Sequence, residues 1–162
     1  MKFYIAYGSN LHVAQMRRRC PDAVAVGTAW LDNYRLAFRG SKTGAYLTIL
    51  PDKRTRVPVG IWAISEDDER NLDRYEGYPA FYGKHDETIT LHRFDGTTER
   101  VTAMVYTMRA DAPKGTPSQS YVNTCSVGYE CFGLPAEYLL RAVKGSLPKR
   151  SQIHANRKKV TA

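Results

Sequence analysis

Cysteine and histidine are scarce: the 162 residues contain three of the first and four of the second. Cys20, Cys125 and Cys131 are odd in number, so they cannot form a fully paired disulfide framework. No CxxC or Cys/His cluster has metal-site spacing. Cys125 and Cys131 read instead as two reduced thiols on one helical segment, packed as small hydrophobes. Twelve glycines and eight prolines are too few for a collagen-like or proline-rich chain. No apolar run approaches the ~18 residues that span a bilayer. The opening MKFYIAYGSN has one lysine, an apolar run too short for a secretory signal and no small-residue cleavage site after it. The expectation is a cytoplasmic chain with no membrane partner. Signatures of phosphate-loop, dinucleotide, zinc-protease and esterase sites (GxxxxGK[ST], GxGxxG after a strand, HExxH, GxSxG) are missing. His12, His85, His92 and His154 are scattered, so nothing supports a histidine-based triad.

What is present is an ordinary folded chain. Hydrophobic residues make up 43% and charged residues 25%. The length suits a single core. A net charge of +8 suggests nucleic acid until the charges are placed. Arg141, Lys144, Lys149, Arg150, Arg157, Lys158 and Lys159 follow Glu137, and no acid does. The 137 residues before them carry 17 basic and 16 acidic side chains. The body is therefore nearly neutral and the end is a basic tail, which attracts polyanions without specificity. The basic stretch has no recognition-helix pattern and no interleaved aromatics, so no specific nucleic-acid partner is expected. Residues 1–145 form the expected domain, and 146–162 a basic C-terminal tail expected to be flexible.

Lys2 to Tyr7 alternates like a strand, and Gly8-Ser9-Asn10 breaks it. Leu11 to Arg19 reads as a short helix stopped by Cys20-Pro21. Val24–Leu31, Tyr34–Phe38, Ala45–Leu50 and Val57–Ile64 are strand candidates, parted by Asp32-Asn33, Gly40 to Gly44 and Pro51 to Arg56. Ser65 caps an acid-led helix running to about Tyr75. Glu87–Phe94 and Arg100–Met108 flank Asp95-Gly96, a strong hairpin signal. Two helices follow, one opened by Pro117-Ser118 and ended near Gly133, the next running to Lys144-Gly145. Six or so strands come first and the last helices come together, which is not βαβ alternation. The fold class is α+β: a small mixed α/β domain with a curved or closed β-barrel core and peripheral helices.

Two segments carry chemistry. Tyr7-Gly8-Ser9-Asn10-Leu11 turns from strand to helix, where Gly8 permits close approach and helix N–H groups attract anions. Taken alone, the segment reads rather as a plain strand-to-helix turn capped by Asn10 or Ser9. Glu76 stands where a helix ends and Gly77 follows, the wrong end of the dipole for a carboxylate. Tyr75, Tyr78, Phe81 and Tyr82 crowd it, and burial among them would raise its pKa towards neutrality. The alternative is an exposed glutamate in a turn.

Together these segments resemble the γ-glutamylcyclotransferase superfamily, including its AIG2-like members. Four parts match in order from about Phe3 to Tyr138: Tyr7-Gly8-Ser9-Asn10-Leu11; Val26-Gly27-Thr28-Ala29 with Tyr34-Arg35-Leu36-Ala37-Phe38; Leu72-Asp73-Arg74-Tyr75-Glu76-Gly77 with Tyr82; and Tyr121, Gly128, Gly133-Leu134-Pro135 with Tyr138. The resemblance implies a barrel-cored fold and release of 5-oxoproline from a γ-glutamyl compound. It puts the catalytic acid/base on Glu76. It puts substrate binding on Tyr7, Gly8, Ser9, Asn10 and Leu11, with Tyr82 and Tyr121 lining the pocket. It implies no cofactor and no metal, and a small-molecule γ-glutamyl partner. The Tyr78-Pro79-Ala80-Phe81 stretch departs from the mammalian glutathione-pathway enzymes, which leaves the leaving amine open. The rival reading is a non-catalytic AIG2-like protein that binds a small ligand.

Overall fold

The computed structural model describes residues 1–41 and 44–149. Five strands close into a barrel: β1 (Lys2–Ala6), β2 (Val24–Ser41), β3 (Gly44–Ile64), β4 (Tyr82–Arg93) and β5 (Thr98–Met108). Their order around the barrel is β1-β3-β2-β4-β5. Neighbours are antiparallel except β1 and β5, which run parallel with Phe3 opposite Ala103 and Ile5 opposite Val105. Successive strand side chains point to opposite faces. Tyr4, Ile5 and Ala6 are nonetheless all buried, so β1 is covered on both sides. One face is the apolar core, with Leu47, Ile49, Ile61, Leu91 and Val105 nearly or wholly inaccessible. Among the described residues, no helix is long and apolar enough to cross a membrane.

Five strands replace the expected six or so because two breaks are not breaks. Asp32-Asn33 lies within β2, where Asn33 takes a φ of 67° and the register shifts. Asn tolerates that left-handed conformation better than most residues. Asp32 faces Arg56 while Tyr34 faces Pro51, so the Pro51–Arg56 stretch stays inside β3 across the irregularity. β4 begins at Tyr82, five residues before the expected Glu87. The Asp95-Gly96 turn is present, with Gly96 at φ 89°.

Among the described residues, four α-helices lie on the barrel: α1 (Val13–Arg19), α2 (Glu66–Glu76), α3 (Gln119–Phe132) and α4 (Glu137–Ser146). Ser65 and Asp68 form a reciprocal capping box at the start of α2. Gly77 and Gly133 end α2 and α3 at φ 65°, the left-handed cap that glycine fills without penalty. Cys125 is buried on α3, but Cys131 is exposed: six residues along a helix turn it to a different face, so it is not packed as a hydrophobe. Most of the basic tail, from residue 150, lies outside the described residues.

Candidate active site at the end of the first strand

Beyond Tyr7 the chain makes a 3-10 turn, Ser9–Leu11. The N–H of Leu11 donates to the Gly8 carbonyl and that of His12 to the Ser9 carbonyl, both at 3.0 Å. His12 caps α1, accepting from Gln15 N at 3.3 Å. Neither Ser9 nor Asn10 is the α1 cap. Their own N–H groups have no acceptor among the described residues. Two contacts fix the turn from outside. Trp62 Nε1 donates to the Asn10 carbonyl at 3.0 Å. On α3, a Cβ at Gly128 would stand 2.5 Å from Leu11 Cβ and 2.7 Å from its carbonyl carbon, so only glycine lets the helix lie on the turn.

Asn10 is 3% exposed, and its amide is fully used. Nδ2 donates to Tyr4 Oη at 2.8 Å and to Glu76 Oε1 at 2.9 Å. Oδ1 accepts from Arg19 Nη1. Arg19 thereby sets which way the amide faces, since Oδ1 is held on the guanidinium and Nδ2 is left for the carboxylate. The same guanidinium lies 3.3 Å from the centre of the Tyr75 ring, whose hydroxyl is 3.2 Å from Ser9 Oγ.

Glu76 is the last residue of α2. Its carboxyl lines a cavity with Tyr4, Tyr7, Gly8, Ser9, Asn10, Leu47, Tyr82, Tyr106 and Tyr121. Burial pushes the Glu76 pKa up to about 7, against the opposing pull of the Arg19 charge and the Asn10 hydrogen bond. Burial likewise raises the pKa of every lining tyrosine. These phenols therefore stay neutral, and most are tied down. Tyr7 Oη donates to the Tyr106 carbonyl at 2.6 Å, Tyr82 Oη to the Leu47 carbonyl at 2.8 Å, and Tyr106 Oη to Asp73 Oδ1 at 2.6 Å. Tyr121 Oη accepts from Leu47 N at 3.2 Å. The free space between these side chains is about 30 Å³, room for about one water.

Seven of the eight residues singled out in the sequence meet here: Tyr7, Gly8, Ser9, Asn10, Glu76, Tyr82 and Tyr121. Leu11 does not line the cavity. Its side chain is fully buried against Gly128 and Gly60, so its part is to anchor the turn. Sequence reasoning missed Tyr4, Tyr106 and Arg19. Tyr4 and Tyr106 read as ordinary strand residues, and Arg19 is one of three consecutive arginines with nothing to single it out.

Residues 4–123 match the family model described as gamma-glutamyl cyclotransferase, AIG2-like. The chain belongs to this family. It is 28% identical over 143 residues to a gamma-glutamylcyclotransferase from Bos taurus, spanning 83% of this chain and 73% of that one. The gamma-glutamylcyclotransferase from Homo sapiens gives the same identity over 144 residues, with the same coverage. A solved structure described as a gamma-glutamyl cyclotransferase superposes with a TM-score of 0.74 at 25% identity, covering 92% of this chain and 89% of that one. The γ-glutamylcyclotransferase fold is thus the closed barrel with peripheral helices described above, and the cavity lies at the end of its first strand.

Proposed function

We propose that this chain is an enzyme that releases 5-oxoproline and a free amine from a γ-glutamyl compound, with Glu76 as general acid/base. The substrate's α-amine attacks its own γ-carbonyl. A new C–N bond closes a five-membered ring as the bond to the leaving amine breaks. Tethering the nucleophile supplies ~7–11 kcal/mol through effective molarity when the orientation is right. The reaction as written calls for no protein nucleophile, metal or cofactor. It needs one group that takes a proton from the α-ammonium and returns one to the departing nitrogen. A carboxyl with a pKa of about 7 is poised to do both near neutrality. The Ser9 and Asn10 N–H groups are available to the substrate carboxylate or the developing oxyanion; an oxyanion donor is worth ~2.7–4 kcal/mol. Tyr7, Tyr82 and Tyr121 shape the pocket around the γ-glutamyl group.

The observation that carries this reading is the 2.9 Å contact of the Glu76 carboxyl with the Asn10 amide, inside the tyrosine-lined cavity. A pocket built only to hold a carboxylate would gain nothing from a second one, which repels it. The working partner is a small γ-glutamyl molecule in the cytoplasm. The test is 5-oxoproline release from γ-glutamyl dipeptides, γ-glutamylamines and γ-glutamyl-ε-lysine, with Glu76→Gln in parallel. Release from at least one compound, lost in the variant, is expected. Equal release by the variant would remove Glu76 from the mechanism.

A further inference from the structure

A second concavity shares no lining residue with the tyrosine cavity. It is a cleft of about 890 Å³, within the ~300–1,000 Å³ range of small-molecule sites. The outer parts of β2 and β3 form one wall. The segment 114–116 and α4 form the other, tied together by Thr116 Oγ1 donating to the Ser146 carbonyl at 2.9 Å. Arg35, Arg39, Arg54, Arg56, Lys114 and Arg141 line it, with Lys149 at one end. Asp52 is the only acid among the described lining residues. It is engaged by Arg54 at 3.2 Å and Arg35 at 3.9 Å. Since the first 137 residues are nearly balanced in charge, this is a local concentration rather than a share of a uniformly basic surface.

Two further observations give the cleft a chemical direction. Arg39 Nε is buried with no hydrogen-bond acceptor among the described residues. Buried donors in native proteins are almost always satisfied, and this one belongs to a side chain that lines the cleft. The aromatic rings beside the cleft are already covered. Arg56 stacks 3.9 Å from the Trp30 ring centre and Arg141 5.3 Å from that of Tyr138, with the two rings 5.4 Å apart. Rings used to hold arginines do not serve as base-stacking platforms, which sets the cleft apart from single-strand nucleic-acid grooves. Arginine forks match phosphate oxygens in pairs.

We propose that this cleft binds a small anion carrying several linked phosphates, such as inorganic polyphosphate or the phosphate chain of a nucleotide. The site is independent of the cyclisation reaction. The test is calorimetric titration of the full chain with tripolyphosphate, orthophosphate, ATP and a 20-nucleotide single-stranded RNA, at 50 and 500 mM NaCl. One-to-one binding of tripolyphosphate is expected, at least tenfold weaker at the higher salt and at least tenfold tighter than orthophosphate. ATP matching tripolyphosphate assigns recognition to the phosphates alone; ATP binding more tightly assigns the ligand to nucleotides. Arg39→Gln and Arg141→Gln should each weaken binding at least fivefold. Arg141 is exposed on α4, so its variant keeps the test open should Arg39→Gln not fold. Arg157→Gln/Lys158→Gln/Lys159→Gln should change affinity less than twofold. No saturable binding would overturn the proposal. So would loss of binding in the tail variant with Arg141→Gln unaffected, or RNA binding tenfold more tightly than ATP.

Discussion

α2 carries a buried carboxylate near each end, and the helix treats them oppositely. Asp68, in the first turn, is completely inaccessible. Its two oxygens accept from backbone N–H groups of Asp22 and Ser65, both at 3.3 Å, and it sits at the positive end of the helix dipole. Glu76, in the last turn, sits at the negative end. Its contact is with a side-chain amide, among tyrosines. One carboxylate has everything local stability asks for; the other is held by Asn10, from the 3-10 turn that follows β1. Burial is common to both, so burial alone does not mark a reactive acid. The number of donors and the direction of the dipole separate them.

Five changes test this contrast. Glu76→Gln should lower kcat/KM for 5-oxoproline release by about 10²–10⁴, the usual worth of a positioned acid/base; a loss under tenfold would erase the distinction. The same variant should change stability in a pH-dependent way. The folded pKa of about 7 lies above the ordinary 4.5, so the folded state binds this proton more tightly. The stabilisation is complete below about pH 4.5 and is lost as pH rises through 7. At pH 9 Glu76→Gln should therefore be more stable than the parent by up to about 3 kcal/mol, and the gap should close towards pH 4.5. Urea unfolding across that range measures it, and a pH-independent gap would contradict the burial argument.

Arg19→Gln removes the positive charge that favours ionised Glu76 and frees the Asn10 amide to turn. The pH–rate midpoint should move to higher pH, and kcat/KM should drop roughly 10-fold or more, as for a lost hydrogen bond to a charged group. Lysine at this position should restore part of the midpoint but not all of the rate. Asp68→Ala should cost about 1–2 kcal/mol of stability through the lost capping box while leaving turnover per folded molecule intact. Ser9→Ala should have the smallest effect, a few-fold in kcat/KM, because its hydroxyl makes one 3.2 Å contact, with Tyr75. Unchanged kinetics there would mean that the turn works through its backbone alone.

The sequence made one end of α2 easier to read than the other. Ser65 followed by four acids announces a helix start by chemistry local to a few residues. Glu76 stood out only because it broke the dipole rule, and the four ordered motifs then gave it a partner in the turn after Tyr7. Tyr4, Tyr106 and Arg19 stayed hidden because their roles depend on β1 lying beside β5 and on α1 returning over the turn. Those are tertiary placements with no local mark. The extra strand breaks arose from reading Asp32-Asn33 and Pro51 as turn chemistry, where the barrel uses them to shift register within continuous strands. Leu11 belonged to the matched motif for its packing rather than for contact with the cavity.

The parallel pairing of β1 with β5 has a consequence for synthesis. The strand that ends in the candidate site leaves the ribosome well before one of its two neighbours, Ala103 to Val105, about a hundred residues later. At roughly 5–20 residues per second that is a wait of about 5–20 s, with one edge of β1 unpaired. Neither the cavity nor its carboxyl can assume its final surroundings during that time. A nascent chain would complete the site only after barrel closure, once α3 brings Tyr121 and Gly128 onto it.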